Sequence, residues 1–126
     1  MSSRRRDSDP VAITTYIAQQ CSTRGIAYLH VMRSDFFQAQ QGDVLTPARQ
    51  HFKGTLISNM GYTADEAEQA ITEGKLDAVA FGTSFLANPD LPARIAAKAP
   101  LNAPNPAKFY SPGPEGYTDY PFLLAV

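Results

Sequence analysis

The chain has 126 residues, with 11 basic and 12 acidic side chains, and 44% of it is hydrophobic. That length allows one domain at most, and near-neutral charge argues against nucleic acid or an anionic membrane surface as the main partner. No apolar run approaches the roughly 20 residues of a membrane-spanning helix, and a single cysteine, Cys21, cannot form an internal disulfide.

Arg4-Arg5-Arg6 reads as a solvated, disordered tail over residues 1–6. The segment lacks the apolar run of a secretion signal, so a cytoplasmic location is expected. Asp7-Ser8-Asp9-Pro10 is a helix start, because an Asx or Ser cap followed by Pro satisfies otherwise orphaned backbone donors. Val11, Tyr16, Ile17 and Cys21 then suit the apolar face of an amphipathic helix ending near Gly25. Ile26 to Val31 is short and mostly apolar, and it reads as a strand buried on both faces. Met32 to Asp43 has no period and reads as a loop, in which Phe36 and Phe37 either line a pocket or anchor the loop on the core.

Thr46-Pro47 is expected to cap and open a short helix to about Phe52, which Gly54 breaks. Thr55 to Asn59 is a second strand. Thr63 and Glu66 form a capping box, with each side chain meeting the other's backbone amide. The helix they start runs to about Glu73 and stops at Gly74. Asp77 to Phe81 is a third strand. Short helices are expected at Phe85 to Ala87 and from Asp90 to Lys98. From Pro100 to the end the chain is rich in Pro and Gly, and the apolar residues Leu101, Phe109, Tyr110, Tyr117, Tyr120 and Phe122 require it to pack as a tail over 100–126.

Alternation of strands and amphipathic helices predicts an α/β fold with a parallel sheet and right-handed crossovers. The pattern fits both a doubly wound sheet and an arc of a (β/α)8 barrel. In either, ligands sit beyond the C-terminal ends of the strands. Two turns fall there: Asn59-Met60-Gly61-Tyr62-Thr63 and Phe81-Gly82-Thr83-Ser84. Each presents backbone N–H groups ahead of a helix, a geometry that suits phosphate and equally serves as a plain tight turn. His30, at the end of a strand, either faces a site or packs locally, and His51 is expected to face water. No His/Cys/Asp cluster has metal-ligand spacing and no Ser/His/Asp set is present, so neither a metal site nor a catalytic residue is expected.

An ordered series of segments resembles the old yellow enzyme family. Gly25 to Val31 resembles its sixth barrel strand. Gly61-Tyr62-Thr63 with Ala67 and Ile71 resembles the turn and helix after the seventh. Asp77 to Gly82, Phe85 and Asn88-Pro89-Asp90-Leu91 resemble the eighth strand and its sequel. Ala99 to Asn102, Phe109-Tyr110 and Glu115 to Pro121 resemble the C-terminal tail. The resemblance spans Asp7 to Pro121 and implies a partial (β/α)8 TIM barrel: the last three strands with their helices, in residues 1–126. It further implies a flavin mononucleotide (FMN) cofactor, reduced by NADH or NADPH, that reduces activated alkenes such as enones.

By the same resemblance, the backbone of Met60, Gly61, Gly82 and Thr83 holds the FMN phosphate, Tyr110 contacts the flavin, and Phe109 and Tyr110 line the substrate pocket. Phe109 and Tyr110 also suit a role in pinning the tail. Thr83 stands where most relatives carry an arginine, a loss of roughly 1.5–3 kcal/mol or one to two decades of affinity. Met60 stands where many have glycine. The resemblance implies that strands one to five lie outside this sequence, together with the proton donor and the residues that orient the substrate. The expected partner is therefore a complementary N-terminal half-barrel chain or a second copy of this one. The alternative is a non-catalytic fragment or assembly module that no longer binds flavin.

Overall fold

The structure is a computed structural model that describes residues 7–35 and 42–124. Arg4 to Arg6, Phe36 and Phe37 lie outside the described residues. The elements in chain order are α1 (Pro10–Thr23), β1 (Tyr28–Met32), α2 (Leu45–His51), β2 (Thr55–Asn59), α3 (Ala64–Thr72), β3 (Ala78–Val79), α4 (Thr83–Ala87) and α5 (Leu91–Ala96), then a 3-10 turn at Pro106–Lys108. The chain divides into two compact units, Met1–Ala80 and Phe81–Val126.

The first unit holds a three-stranded parallel sheet in the order β1-β2-β3. Its core is Ala48, Leu56 and Leu76, with Leu29, Val31, Leu45, Tyr62, Ala70 and Val79 packed around them. α1 starts as the sequence dictates: Asp9 Oδ1 accepts from the Ala12 amide at 2.9 Å and Pro10 opens the helix. The expected apolar face of α1 is not buried. Val11, Tyr16 and Ile17 are exposed, Tyr16 at 61%, Cys21 is half-buried, and Ala18 is the buried residue of the helix. Small side chains make the contact: α1 packs on α2, where Ala48 is also fully buried.

β1 likewise corrects its expectation of burial on both faces. Its residues alternate, with Tyr28, His30 and Met32 exposed and Leu29 and Val31 half-buried toward the core. In register they adjoin Thr55, Ile57 and Asn59 of β2. Helices of this unit cover the Leu29–Leu56 face, and the Tyr28–Thr55 face has no cover among the described residues of the unit. Period-2 exposure is what a one-sided sheet produces.

β3 is shorter than the five residues expected. The Asp77 side chain explains one end: its Oδ2 accepts the Leu56 amide at 2.8 Å, a donor that a strand carbonyl would otherwise take. Flanking backbone bonds, Asp77 N to Leu56 O at 2.9 Å and Ala80 N to Ser58 O at 2.8 Å, continue the pairing. α2 is capped from Asp43 rather than Thr46, because Asp43 Oδ1 accepts from both the Leu45 and Thr46 amides, at 3.0 and 3.1 Å.

In the second unit the tail is held by polar bonds more than by apolar packing. Buried Asn88 and half-buried Asn102 exchange bonds: Asn102 N donates to Asn88 Oδ1 at 2.7 Å and Asn88 Nδ2 donates to Asn102 O at 3.3 Å. Buried Arg94 binds Asp90 Oδ1 at 2.8 Å, Pro100 O at 2.7 Å and Pro121 O at 2.9 Å. Asp90 Oδ2 accepts the Leu123 amide at 2.7 Å. The proline-rich chain offers carbonyls that no regular ladder uses, and these donors take them. Leu101, Tyr110, Tyr117 and Phe122 remain exposed.

Candidate functional site

The turn after β2 is the best-defined candidate. Met60 has φ 91° and Gly61 φ 67°, two successive residues in the left-handed region. Glycine enters that region freely and methionine does not, so the Met60 backbone is strained. The dihedral is one that glycine would occupy without strain. α3 follows with Thr63 as its cap, Thr63 Oγ1 accepting the Glu66 amide at 3.1 Å.

Only that half of the expected capping box forms, because the Glu66 carboxylate turns instead to Arg33. Arg33 Nη1 and Nη2 reach Glu66 Oε1 and Oε2 at 2.5 and 3.1 Å. The same guanidinium donates from Nε to Met60 O at 2.6 Å and lies 3.8 Å from the Tyr62 ring centroid. The main chain joins in, with Arg33 N donating to Asn59 O at 3.3 Å. Hydrogen bonding to Glu66 raises the Arg33 pKa above the ordinary arginine value, and the bond from Arg33 lowers that of Glu66. Arg33 escaped the sequence reading because it lies one residue past β1, in a stretch that reads as loop. The signal present was a lone cation directly after a strand's C-terminal end.

His30 is exposed on the uncovered sheet face, its Nε2 3.2 Å from Asn59 Oδ1. His51 is half-buried rather than fully in water, with Nδ1 3.4 Å from Gln19 Nε2. A cleft of about 640 Å³ in the first unit is lined by Arg33, Asp43, Arg49, Tyr62, Glu66 and Lys75 among others, and by none of the site residues expected from sequence. It mixes opposite charges that are already paired within its lining, Arg33 with Glu66 and Lys75 with Glu73, and its Arg49 is paired with Asp77 outside it.

In the second unit, Gly82 caps α4 with φ −87°, which any residue adopts. A Cβ at Gly82 would meet nothing within 4 Å, so the space over that backbone is open. Thr83, the first residue of α4, is exposed and neutral. Phe109 is half-buried. Tyr110 is 94% exposed with φ 59°, a strained backbone carrying an aromatic ring into the open. Met60 and Gly61 thus come together in the first unit, and Gly82, Thr83, Phe109 and Tyr110 belong to the second.

The cation that touches the Met60 turn, Arg33, is committed to Glu66. Among the described residues no group of His, Cys, Asp and Glu could hold a metal ion, and no helix is long and apolar enough to cross a membrane.

Comparisons with known proteins agree with the resemblance. The chain is 50% identical over 117 residues to a probable flavin mononucleotide-dependent alkene reductase of Leishmania infantum, an alignment covering 93% of this chain and 32% of that protein. It superposes on the old yellow enzyme from Trypanosoma cruzi with a TM-score of 0.88 and 45% identity, covering 92% of this chain and 31% of that one. Morphinone reductase in complex with tetrahydroNAD gives a TM-score of 0.82 at 43% identity, covering 93% and 31%. The chain thus spans about a third of the length of these relatives, and its three parallel strands are an arc of their (β/α)8 barrel. Residues 8–102 match the NADH:flavin oxidoreductase / NADH oxidase family, and the chain belongs to that family.

Proposed function

We propose that this chain forms the phosphate side of an FMN-dependent oxidoreductase that reduces activated alkenes, enones among them, with NADH or NADPH. The observation that carries the reading is the Met60-Gly61 turn. It lies at the C-terminal end of a parallel strand, it is left-handed at both residues, and it opens a capped helix. Met60 and Gly61 in the first unit, and Gly82 and Thr83 in the second, are each proposed as backbone contacts to the FMN phosphate. Tyr110 is proposed to contact the flavin, and Phe109 and Tyr110 to line the substrate pocket. When bound, the flavin supplies hydride to the alkene. This chain's own residues bind and orient the cofactor.

The strands that complete a barrel would come from whichever polypeptide carries them, and a complementary N-terminal half-barrel fits the uncovered face of β1 and β2. The test is to mix the chain with a polypeptide comprising the first five strands of a relative and titrate with FMN. The expected result is saturable quenching of flavin fluorescence by a defined complex that oxidises NADH or NADPH in the presence of an enone. A folded complex that leaves FMN free overturns the reading. It would favour the second one, a non-catalytic assembly module, which rests on neutral Thr83 at the start of α4.

A further inference from the structure

We infer that Arg33 is a positioning residue that sets the direction of the Gly61 N–H. Two consecutive carbonyls at the C-terminal end of β2 are held by this one residue: Asn59 O by the Arg33 main-chain amide at 3.3 Å and Met60 O by Arg33 Nε at 2.6 Å. The described peptide bonds are all trans, and across a trans peptide plane the C=O and N–H point in opposite directions. With the Met60 carbonyl fixed on Arg33, the Gly61 N–H is aimed away from the guanidinium, and among the described residues it has no protein acceptor.

The guanidinium itself is held at three points. Glu66 takes both terminal nitrogens, the Tyr62 ring lies under Cζ, and Met60 O takes Nε. A planar five-donor fork can meet all three at once, and an ammonium cannot. A flip of the Met60–Gly61 peptide would change only the ψ of Met60 and the φ of Gly61, and glycine accepts either sign of φ, so the bond from Arg33 Nε to Met60 O is what opposes it. A flip would bury the Gly61 donor against Arg33 and leave the carbonyl facing an incoming anion.

The consequence for binding rests on the proposed phosphate role of Gly61, whereas the geometry does not. The test therefore has two readouts on the 126-residue chain. The first is the residual dipolar coupling of the Gly61 N–H in the isotopically labelled, ligand-free protein. The second is the ratio of affinities for FMN and riboflavin, which differ by the phosphate. In Arg33→Met the Gly61 coupling is expected to change while those of α1 stay as they are. The FMN-over-riboflavin ratio is expected to fall about tenfold, with riboflavin affinity unchanged. An unmoved Gly61 coupling overturns the inference, and so does a moved coupling with the wild-type FMN preference intact. A wild-type protein that does not distinguish FMN from riboflavin instead sinks the phosphate reading itself. If Arg33→Met does not fold, Arg33→Lys carries the same test, since it keeps the charge and loses the fork.

Discussion

Asp77 bridges Arg49 and the sheet. One carboxylate oxygen, Oδ2, accepts from Arg49 Nη1 at 2.9 Å and from the amide of Leu56 at 2.8 Å, and Arg49 Nη2 reaches on to Gly54 O at 3.0 Å. A surface ion pair alone contributes little. Here the carboxylate also satisfies the amide of a residue with no solvent exposure.

Asp77→Ala is therefore expected to destabilise the chain by about 1–3 kcal/mol, the cost of stranding a buried donor. Asp77→Asn keeps an acceptor for Leu56 and costs less. Urea unfolding of the two variants, followed by circular dichroism, gives the order. Equal losses would mean that the charge, not the amide bond, is what matters.

Acid should loosen this fold. Asp77 is held below the ordinary carboxylate value of 3.8 by the Leu56 amide and then by Arg49; Asp90 is held below it by Arg94 and then by the Leu123 amide. A carboxylate whose pKa is lower in the folded state stabilises it fully above the unfolded value. That stability is lost as pH falls through the folded one. Urea midpoints are expected to stay flat down to about pH 5 and to decline below about pH 4. Asp77→Asn should flatten that decline.

Met60→Gly should relieve the left-handed strain. Strain of this kind costs on the order of 1–3 kcal/mol, and glycine's extra unfolded-state freedom returns roughly 0.5–1 kcal/mol of it. A net gain of about 1 kcal/mol is expected in urea unfolding. No gain would show that the Met60 side chain, half-buried, contributes packing that offsets the strain.

Arg94 holds the second unit's tail through two proline carbonyls and Asp90. Arg94→Met should cost about 1–3 kcal/mol, because it strands the Pro100 carbonyl, whereas Pro121 O keeps Asn102 Nδ2 at 2.8 Å and Asp90 keeps the Leu123 amide at 2.7 Å. Limited proteolysis is the direct readout, with new cuts after Pro100. A tail that stays resistant would assign its order to Asn88 and Asn102 alone.

Thr83→Arg restores a charged donor at the start of α4. If the phosphate reading holds, FMN affinity should rise about 10–100-fold with riboflavin affinity unchanged. Thr83 is exposed, so the variant is expected to fold.

Much of this architecture was legible in the sequence because local chemistry set it. Asp9-Pro10, Thr63 with Glu66, and Gly74 at φ 73° mark helix ends through groups within a few residues of each other. β2 occupies Thr55–Asn59 as expected. What the sequence hid is long-range. The burial of β1 depends on what covers its second face, which no pattern within Tyr28–Met32 records. The Glu66 side chain abandoned its cap for Arg33, 33 residues away. Of the site, the backbone turn was readable from Gly61 and the helix after it, whereas its Arg33 support was not.

The uncovered face of β1 and β2 has a consequence for engineering. Tyr28 and Met32 point away from Ala48, Leu56 and Leu76, so the packing that folds the first unit does not depend on them. Polar replacements there change what the surface attracts without touching what holds it together. The surface character of this face and the core of the first unit are separable by mutation, one alternate residue at a time along the same strand.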